Sequence, residues 1–338
     1  MTTNARRVTL TQHRTGTEPA TELVSLDQTS LPDPGPGEVL IRTTFVQVAA
    51  VMADLMREHP NLPMPGYTLG GPLWGAAVGE VIASEAGGLP VGTAVMHMQG
   101  WQDHVIAGPY EAFPIDPSLP APQFALNQGV TAYHGIVDIA AVTPGDVVFV
   151  SGAAGGVGSL AGQIAKVLGA RQVIGSAGST AKLTYLTETL GYDHAINYRD
   201  DDLVAGIRAV APDGIDVFFD TVGGAQFEAA VQVAATGARF ALCGALSGQL
   251  DNSAGAHPRL DIMTAINKEL VIRPFTTMHT PQQIQAWNTH YGRWLAEGSL
   301  IYPHTLITGG LDVAAATLDG LLAGNHRGTV IVQLAPEG

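Results

Sequence analysis

Two hydrophobic rhythms divide the chain. From about residue 125, short apolar runs at 147–151, 172–175, 194–197, 215–220, 239–243 and 270–273 alternate with stretches of helical periodicity. Such alternation predicts a parallel sheet covered on both faces, and six strands complete a doubly wound α/β nucleotide-binding fold. Residues 1–124 are β-rich instead. A long strand over 38–48 is entered through the turn at 34–37, shorter strands are expected at 8–10, 78–83 and 104–107, and the proline-rich 114–122 reads as a connector. Beyond residue 275 come amphipathic helices at 281–297 and 311–323 and a last strand at 329–334. These pieces cannot bury a core alone, so the tail is expected to rejoin the first segment. The expected domains are 1–124 with 275–338, and an inserted 125–274.

The first strand of the alternating half ends in Ser151-Gly-Ala-Ala-Gly-Gly-Val-Gly-Ser159 and opens onto a helical run at 160–168. A dinucleotide pyrophosphate needs this strand, turn and helix. Small residues let the backbone come close, and a helix N-terminus offers free N–H groups and the positive dipole end. Gly155 and Gly158 fill the second and third places of G-x-G-x-x-G, and Ala153 stands in the first. An ordinary strand-to-helix turn is the bland alternative; the flanking elements favour the cofactor. Readers of NAD place Asp or Glu after the second strand to accept from the ribose 2′-hydroxyl. Here that strand is followed by Ser176-Ala-Gly-Ser-Thr-Ala-Lys182, with hydroxyls, a lysine and no carboxylate. The Lys182 ammonium opposes the helix dipole unless an anion sits beside it, so NADPH/NADP is the expected cofactor.

Composition narrows the function further. With 30 acidic and 16 basic residues the formal charge is −14, which makes nucleic acids and anionic membranes poor partners. Cys243 is the single cysteine, so no disulfide forms within the chain and a cysteine-rich zinc site is excluded. The first residues lack a signal-peptide core and no apolar run is long enough to span a bilayer, so a cytoplasmic protein is expected.

Several segments together resemble one family: Leu69-Gly-Gly-Pro-Leu-Trp-Gly-Ala-Ala-Val-Gly-Glu-Val-Ile-Ala-Ser84, Gly100-Trp-Gln-Asp-His104, Gly129-Val-Thr-Ala-Tyr-His-Gly135, the glycine turn with its helix to Lys166, Ala177-Gly-Ser-Thr-Ala-Lys182, Asn197-Tyr198, Phe219-Asp-Thr-Val-Gly-Gly224 and Cys243-Gly-Ala-Leu-Ser247. In this order they resemble the medium-chain dehydrogenase/reductase superfamily over nearly the whole chain. Within it they resemble the zinc-independent branch of leukotriene B4 dehydrogenase/prostaglandin reductases, curcumin reductases and plant 2-alkenal double-bond reductases. The resemblance implies a Rossmann sheet inserted into a β-rich, GroES-like catalytic domain, and a homodimer. Zinc relatives carry Gly-His-Glu where this chain has Leu69-Gly70-Gly71, so no metal is expected, and His104, His134 and His194 are read as surface or packing residues.

Carried over by position, the resemblance puts Thr131 near the nicotinamide, and Ala154, Gly155, Gly156 and Val157 along the pyrophosphate and nicotinamide. Gly178, Ser179, Lys182 and Tyr198 surround the adenosine 2′-phosphate. Thr221 and Val222 take the place of the family's Asn-Val. Cys243, Gly244, Ala245 and the segment from Phe275 to Thr277 lie around the nicotinamide, and His326 falls where relatives often have Asn. At the substrate end Leu55, Gln249 and Asn267 stand where relatives carry tyrosines, and Tyr67 is a candidate pocket hydroxyl or a packing residue. The implied reaction is NADPH-dependent reduction of the C=C bond of a small, lipophilic α,β-unsaturated ketone or aldehyde, with hydride going to the β-carbon. No proton donor is identified in the sequence. A quinone reductase of the same superfamily and a non-catalytic NADPH-binding protein are the alternatives.

Overall fold

The computed structural model describes residues 2–62, 64–200, 202–250 and 257–334, without the side chains of 249 and 250. The chain forms two compact units, Met1–Asn127 with His304–Gly338, and Gln128–Pro303. In chain order the first unit holds strands β1 (Thr3–Leu10), β2 (Val24–Leu31), β3 (Val39–Val48), β4 (Ala77–Ser84), β5 (Ala94–His97), β6 (His104–Ala107) and β7 (Ala112–Pro114). The second holds β8 (Val147–Val150), β9 (Gln172–Ala177), β10 (His194–Asn197), β11 (Ile215–Asp220), β12 (Ala234–Leu242) and β13 (Val271–Pro274). The chain then returns to the first unit with β14 (His304–Thr308) and β15 (Thr329–Gln333).

In the first unit β1 and β2 pair antiparallel, and a larger sheet runs β14-β15-β3-β4-β5-β7, with β6 also on β3. Strand β3 feeds two cores. Val39 and Ile41 pack with Val81, Val95 and Val105, whereas Val46 and Val48 join Leu10, Met52, Leu55, Trp101, Val330 and Val332. Side chains on a strand alternate faces, so odd positions cannot give way to even ones without an irregularity. The pairing of β3 with β4 shifts register at Leu40/Ile41 and again at Thr43/Phe45, which supplies it.

The second unit is a six-stranded parallel sheet in the order β10-β9-β8-β11-β12-β13. This is the doubly wound Rossmann order, and the direction of winding reverses between β8 and β11. All four residues of β8 are buried because helices cover both faces. Phe149, Phe218, Phe227 and Phe240 build one core against Ile174, Ile207 and Ile215.

Two expectations need correction. The expected boundary at 275 falls at Pro303/His304 instead, because the helix Pro281–Ala296 belongs to the nucleotide unit. Its Trp287, Tyr291 and Trp294 form one buried face, and Trp287 presses so closely on Gly129 that no Cβ would fit there. The return into the first unit is also made by β14, which the hydrophobic pattern did not reveal. Its exposed and half-buried positions lack the apolar alternation of a core strand.

The helix Gly158–Val167 lies equally close to its neighbours. Tyr192 is buried, its hydroxyl donates to the Gly158 carbonyl at 2.7 Å, and its ring occupies the space a Cβ on Gly162 would need. Gly162→Ala gains about 1 kcal/mol of helix propensity but overpacks a ring that cannot swing out, a cost of about 1–3 kcal/mol. Net destabilisation is expected in urea unfolding. A neutral or stabilising result would show that the Tyr192 contact yields.

Candidate functional site

The candidate cofactor residues of the second unit gather at the carboxyl ends of its strands. After β8 the backbone turns at Gly152, which has φ +57° and where a Cβ would stand 2.6 Å from Thr221 Oγ1. The Gly155 N–H closes the turn by donating to the Gly152 carbonyl at 2.9 Å. At Gly158 a Cβ would be 2.5 Å from that same carbonyl, so the following helix can sit directly on the turn. No side chain caps this helix; the Ser159 and Leu160 N–H groups donate to the Gly155 and Val157 carbonyls at 2.9 and 3.1 Å, and the helix start faces the turn around exposed Gly155 and half-buried Gly156 and Val157. Ala154 is buried beneath. Small residues, a left-handed glycine and an uncapped helix start fit a dinucleotide pyrophosphate.

A carboxylate that the sequence reading overlooked holds this edge together. Asp220 Oδ1 accepts from Ser151 Oγ at 2.6 Å and from the N–H groups of Val222 and Gly223 at 2.9 Å each. Ser151 Oγ in turn accepts from Thr221 N–H at 2.8 Å, and Thr221 Oγ1 donates to the Ser151 carbonyl at 3.0 Å. The Asp220 carbonyl accepts from Cys243 and Gly244 N–H at 2.8 and 3.1 Å. The ends of β8, β11 and β12 are thereby pinned to one another. Burial pushes the Asp220 carboxyl above its ordinary value, against the pull of the Gly223, Ser151 and Val222 donors. Desolvation, with the nearby Asp220, pushes the half-buried Cys243 thiol up to about 12, so it stays protonated and unreactive.

On one side of the turn lie Gly178, Ser179, Lys182 and Tyr198. A Cβ on Gly178 would be 2.9 Å from both Tyr198 Oη and Arg199 Nε, so the end of β10 lies against the end of β9. Arg199 stacks over the Tyr198 ring at 5.7 Å, a second cation that the sequence reading missed although it follows the Asn197-Tyr198 pair. Ser179 precedes the helix Thr180–Glu188 without capping it, and no acidic residue stands in its first turn.

On the other side lie Thr221, Val222, Cys243 to Ala245 and Phe275 to Thr277. Loop 243–247 is tied to 221–222 by Leu246 N–H and Ser247 N–H, and Phe275 N–H donates to the Leu242 carbonyl at 3.1 Å. Above them Thr131 is buried on the helix Gly129–His134, with Oγ1 2.8 Å from His279 Nε2.

The substrate candidates are not gathered in this way. Leu55 is a core residue of the first unit at 1% exposure, and Tyr67, at 2%, donates its hydroxyl to the Trp74 carbonyl at 2.9 Å. Leu55 thus packs in the core of its unit, and Tyr67 takes the packing alternative of the sequence reading, its hydroxyl engaged by the backbone. Asn267 is exposed at the end of the helix Ile262–Asn267, just before β13 begins and so at the opposite end of that strand from Phe275, and the side chain of Gln249 lies outside the described residues. His326 belongs to the first unit, where its ring abuts Gly320. His104 pairs with Asp103 at 3.1 Å and His134 with Asp138 at 2.7 Å. His194 is half-buried on β10. Among the described residues no three His, Cys, Asp or Glu side chains are grouped to hold a metal ion.

The raised pKa of Asp220 fixes the sign of a pH effect. Its contribution to stability is full below the ordinary aspartate value and is lost as pH rises through the higher folded value. Asp220→Asn keeps an oxygen acceptor and cannot ionise. Urea titrations should therefore show the Asn variant gaining on wild type as pH rises from the ordinary aspartate range toward neutrality. Asp220→Ala orphans the donors and should cost about 3 kcal/mol. A difference between Asn and wild type that stays constant with pH would contradict this role.

Residues 156–294 match the family described as zinc-binding dehydrogenase, and residues 6–115 the N-terminal domain of oxidoreductase. The chain is 30% identical to NADPH-dependent curcumin reductase of Escherichia coli (strain K12), covering 94% of this chain and 93% of that one. It is also 30% identical to 2-alkenal reductase (NADP(+)-dependent) of Nicotiana tabacum, over 90% and 89% of the two chains. The crystal structure of CurA from Vibrio vulnificus in complex with NADPH superposes with a TM-score of 0.90 at 31% identity, over 98% and 99%. The glycine turn, the strand order and these full-length similarities lead to one conclusion: the chain belongs to the zinc-independent branch of the medium-chain dehydrogenase/reductase superfamily.

Proposed function

We propose that the protein is an NADPH-dependent reductase of carbon–carbon double bonds conjugated to a ketone or aldehyde. The observation that carries it is the ordered strand edge. A phosphate turn at Gly152–Gly158 is flanked by Ser179, Lys182, Tyr198 and Arg199 with no carboxylate between 176 and 182. A ribose 2′-phosphate suits that chemistry and a 2′-hydroxyl reader does not. The reaction class rests on the relatives. A 2-alkenal is an α,β-unsaturated aldehyde and curcumin is a conjugated ketone, and their reductases align with 90% and 94% of this chain, respectively. When bound, NADPH supplies a hydride to the β-carbon. The protein's part is to align the reactants and to offer hydrogen-bond donors where negative charge grows on the carbonyl oxygen.

We place the protein in the cytoplasm as a homodimer acting on a small lipophilic carbonyl compound. Among the described residues no helix is long and apolar enough to cross a membrane. Strand β13 is the edge of the parallel sheet; its Val271, and Ile262, Met263 and Ile266 of the helix that precedes it, are all exposed. An apolar sheet edge of this kind is suited to covering by a second copy.

Two experiments test the proposal. Lys182 and Arg199 share the phosphate in this reading, so Lys182→Ala should weaken NADPH binding by about tenfold while leaving NADH nearly unaffected. Arg199→Ala should act in the same direction. An unchanged ratio of NADPH to NADH affinity in both variants would remove the 2′-phosphate assignment. With NADPH and an α,β-unsaturated ketone, the isolated product should be the saturated ketone. An allylic alcohol would show that hydride goes to the carbonyl carbon and would sink the proposed chemistry.

A further inference from the structure

Thr131 Oγ1 lies 2.8 Å from His279 Nε2, while His279 Nδ1 is buried without a hydrogen-bond partner among the described residues. Burial, aided by the neighbouring His134, lowers the His279 pKa below its ordinary value, so near neutral pH the ring is uncharged and carries one N–H. If the proton sat on Nδ1 it would be an orphaned buried donor. On Nε2 it is donated to Thr131 Oγ1, and Nδ1 keeps only an unused lone pair. An orphaned N–H is the costlier of the two, so Thr131 accepts from His279 and its own hydrogen points elsewhere.

The surroundings indicate where it points. Thr131 and Gly135 are one turn apart on the same helix face. Gly135 abuts Phe219 of β11 and Phe275 just after β13 so closely that a Cβ would clash with both rings. From Gly135 the helix widens into a π-helical turn, Gly135–Ile139. The pair therefore stands on the β11–β13 side of the sheet edge. The phosphate turn follows β8, and the 2′-phosphate candidates follow β9 and β10. A dinucleotide laid across the turn must extend its other half over β11–β13.

We propose that His279 is a positioning residue: its Nε2–H fixes the Thr131 hydroxyl as a donor to the carboxamide oxygen of the nicotinamide, and so sets the orientation of the hydride-bearing ring. This rests on the NADPH reading above. Neither residue needs to change charge, and the arrangement uses the one polar hydrogen that the buried pair leaves over.

The test compares NADPH with adenosine 2′,5′-bisphosphate, which lacks the nicotinamide, in titrations of wild type, Thr131→Val, His279→Leu, His279→Gln and the Thr131→Val/His279→Leu double variant at one salt concentration. Thr131→Val and His279→Leu should each lose about two- to tenfold in NADPH affinity, the weight of one neutral hydrogen bond. Binding of the bisphosphate should not change. His279→Gln, whose amide N–H can reach Thr131, should stay within about twofold of wild type. The double variant should lose no more than Thr131→Val alone, since both changes remove one interaction. Unchanged NADPH affinity in His279→Leu, an equal loss of the bisphosphate, failure of Gln to restore binding, or additive losses would each overturn the inference. Wild-type protein that does not bind NADPH would overturn the cofactor reading and this inference together, and that is read before any variant is compared.

Discussion

The buried carboxyl group of Asp220 determines the shape of the strand edge on which the cofactor assignment depends. Three strand ends meet there: the Ser151 N–H bonds the Phe219 carbonyl and the Cys243 and Gly244 N–H groups bond the Asp220 carbonyl, while the chain leaving β11 carries N–H groups that need a partner outside the sheet. Asp220 Oδ1 collects the Val222 and Gly223 N–H groups and the Ser151 hydroxyl, and Ser151 passes the connection on to Thr221. A buried carboxyl group is costly unless its oxygen is fully used, and this one accepts three bonds on a single oxygen. The return is rigidity: the 152 turn, the 221–224 turn and the 243–247 loop share one hydrogen-bond network, so displacing any of them breaks bonds in the others. This also gives Thr221 its place in the edge. Its hydroxyl is occupied with the Ser151 carbonyl, so it acts within the scaffold.

The glycine turn obeys a steric rule that the linear motif only partly expresses. Ala153 occupies the first glycine place and is fully buried without strain, because the left-handed conformation falls one residue earlier, at Gly152. Close restrictions lie also at Gly158 against the Gly152 carbonyl, at Gly175 against Ala153 and Tyr192, and at Gly162 against the same Tyr192 ring. At the first the helix meets the turn at backbone distance, and at the other two the Tyr192 ring fills the space between the helix and the second strand. Spacing in the sequence thus reports close approach, and the residue in positive φ can move by one position without disturbing it.

Legibility followed the range of the interactions. The strands of the parallel sheet were readable because burial on both faces leaves short, nearly uninterrupted apolar runs such as Val147-Val-Phe-Val150. The first unit was harder. Strand β3 changes face through its register shifts, and β2 and β14 carry half-buried and exposed positions with no clean alternation. The helix Pro281–Ala296 was recognised as amphipathic, but nothing local says which unit covers Trp287, Tyr291 and Trp294; that is decided by Gly129, more than 150 residues earlier in the chain. Arg199 could have been suspected from its place after Asn197-Tyr198. Asp220 and His279 could not, since their importance lies in partners distant in sequence, Ser151 and Thr131.

These features bear on what kind of chemistry the chain's own groups can support. Burial holds the Cys243 thiol protonated, and the hydroxyl of Tyr67 is both spent on a backbone carbonyl and pushed above its ordinary pKa. The Asp220 carboxyl is committed to three donors. Around the strand edge stand neutral hydroxyls, backbone amides and the paired Thr131–His279; Lys182 and Arg199 follow β9 and β10, and Arg273 of β13 is engaged by the Asp138 and Ile139 carbonyls. Such an edge separates its tasks by position. In the proposed reading, charge anchors the distant phosphate and uncharged hydrogen bonds orient the reacting end, where donors of fixed geometry meet the developing charge. A reductase whose reducing power arrives with its cofactor needs little else from the protein at that end.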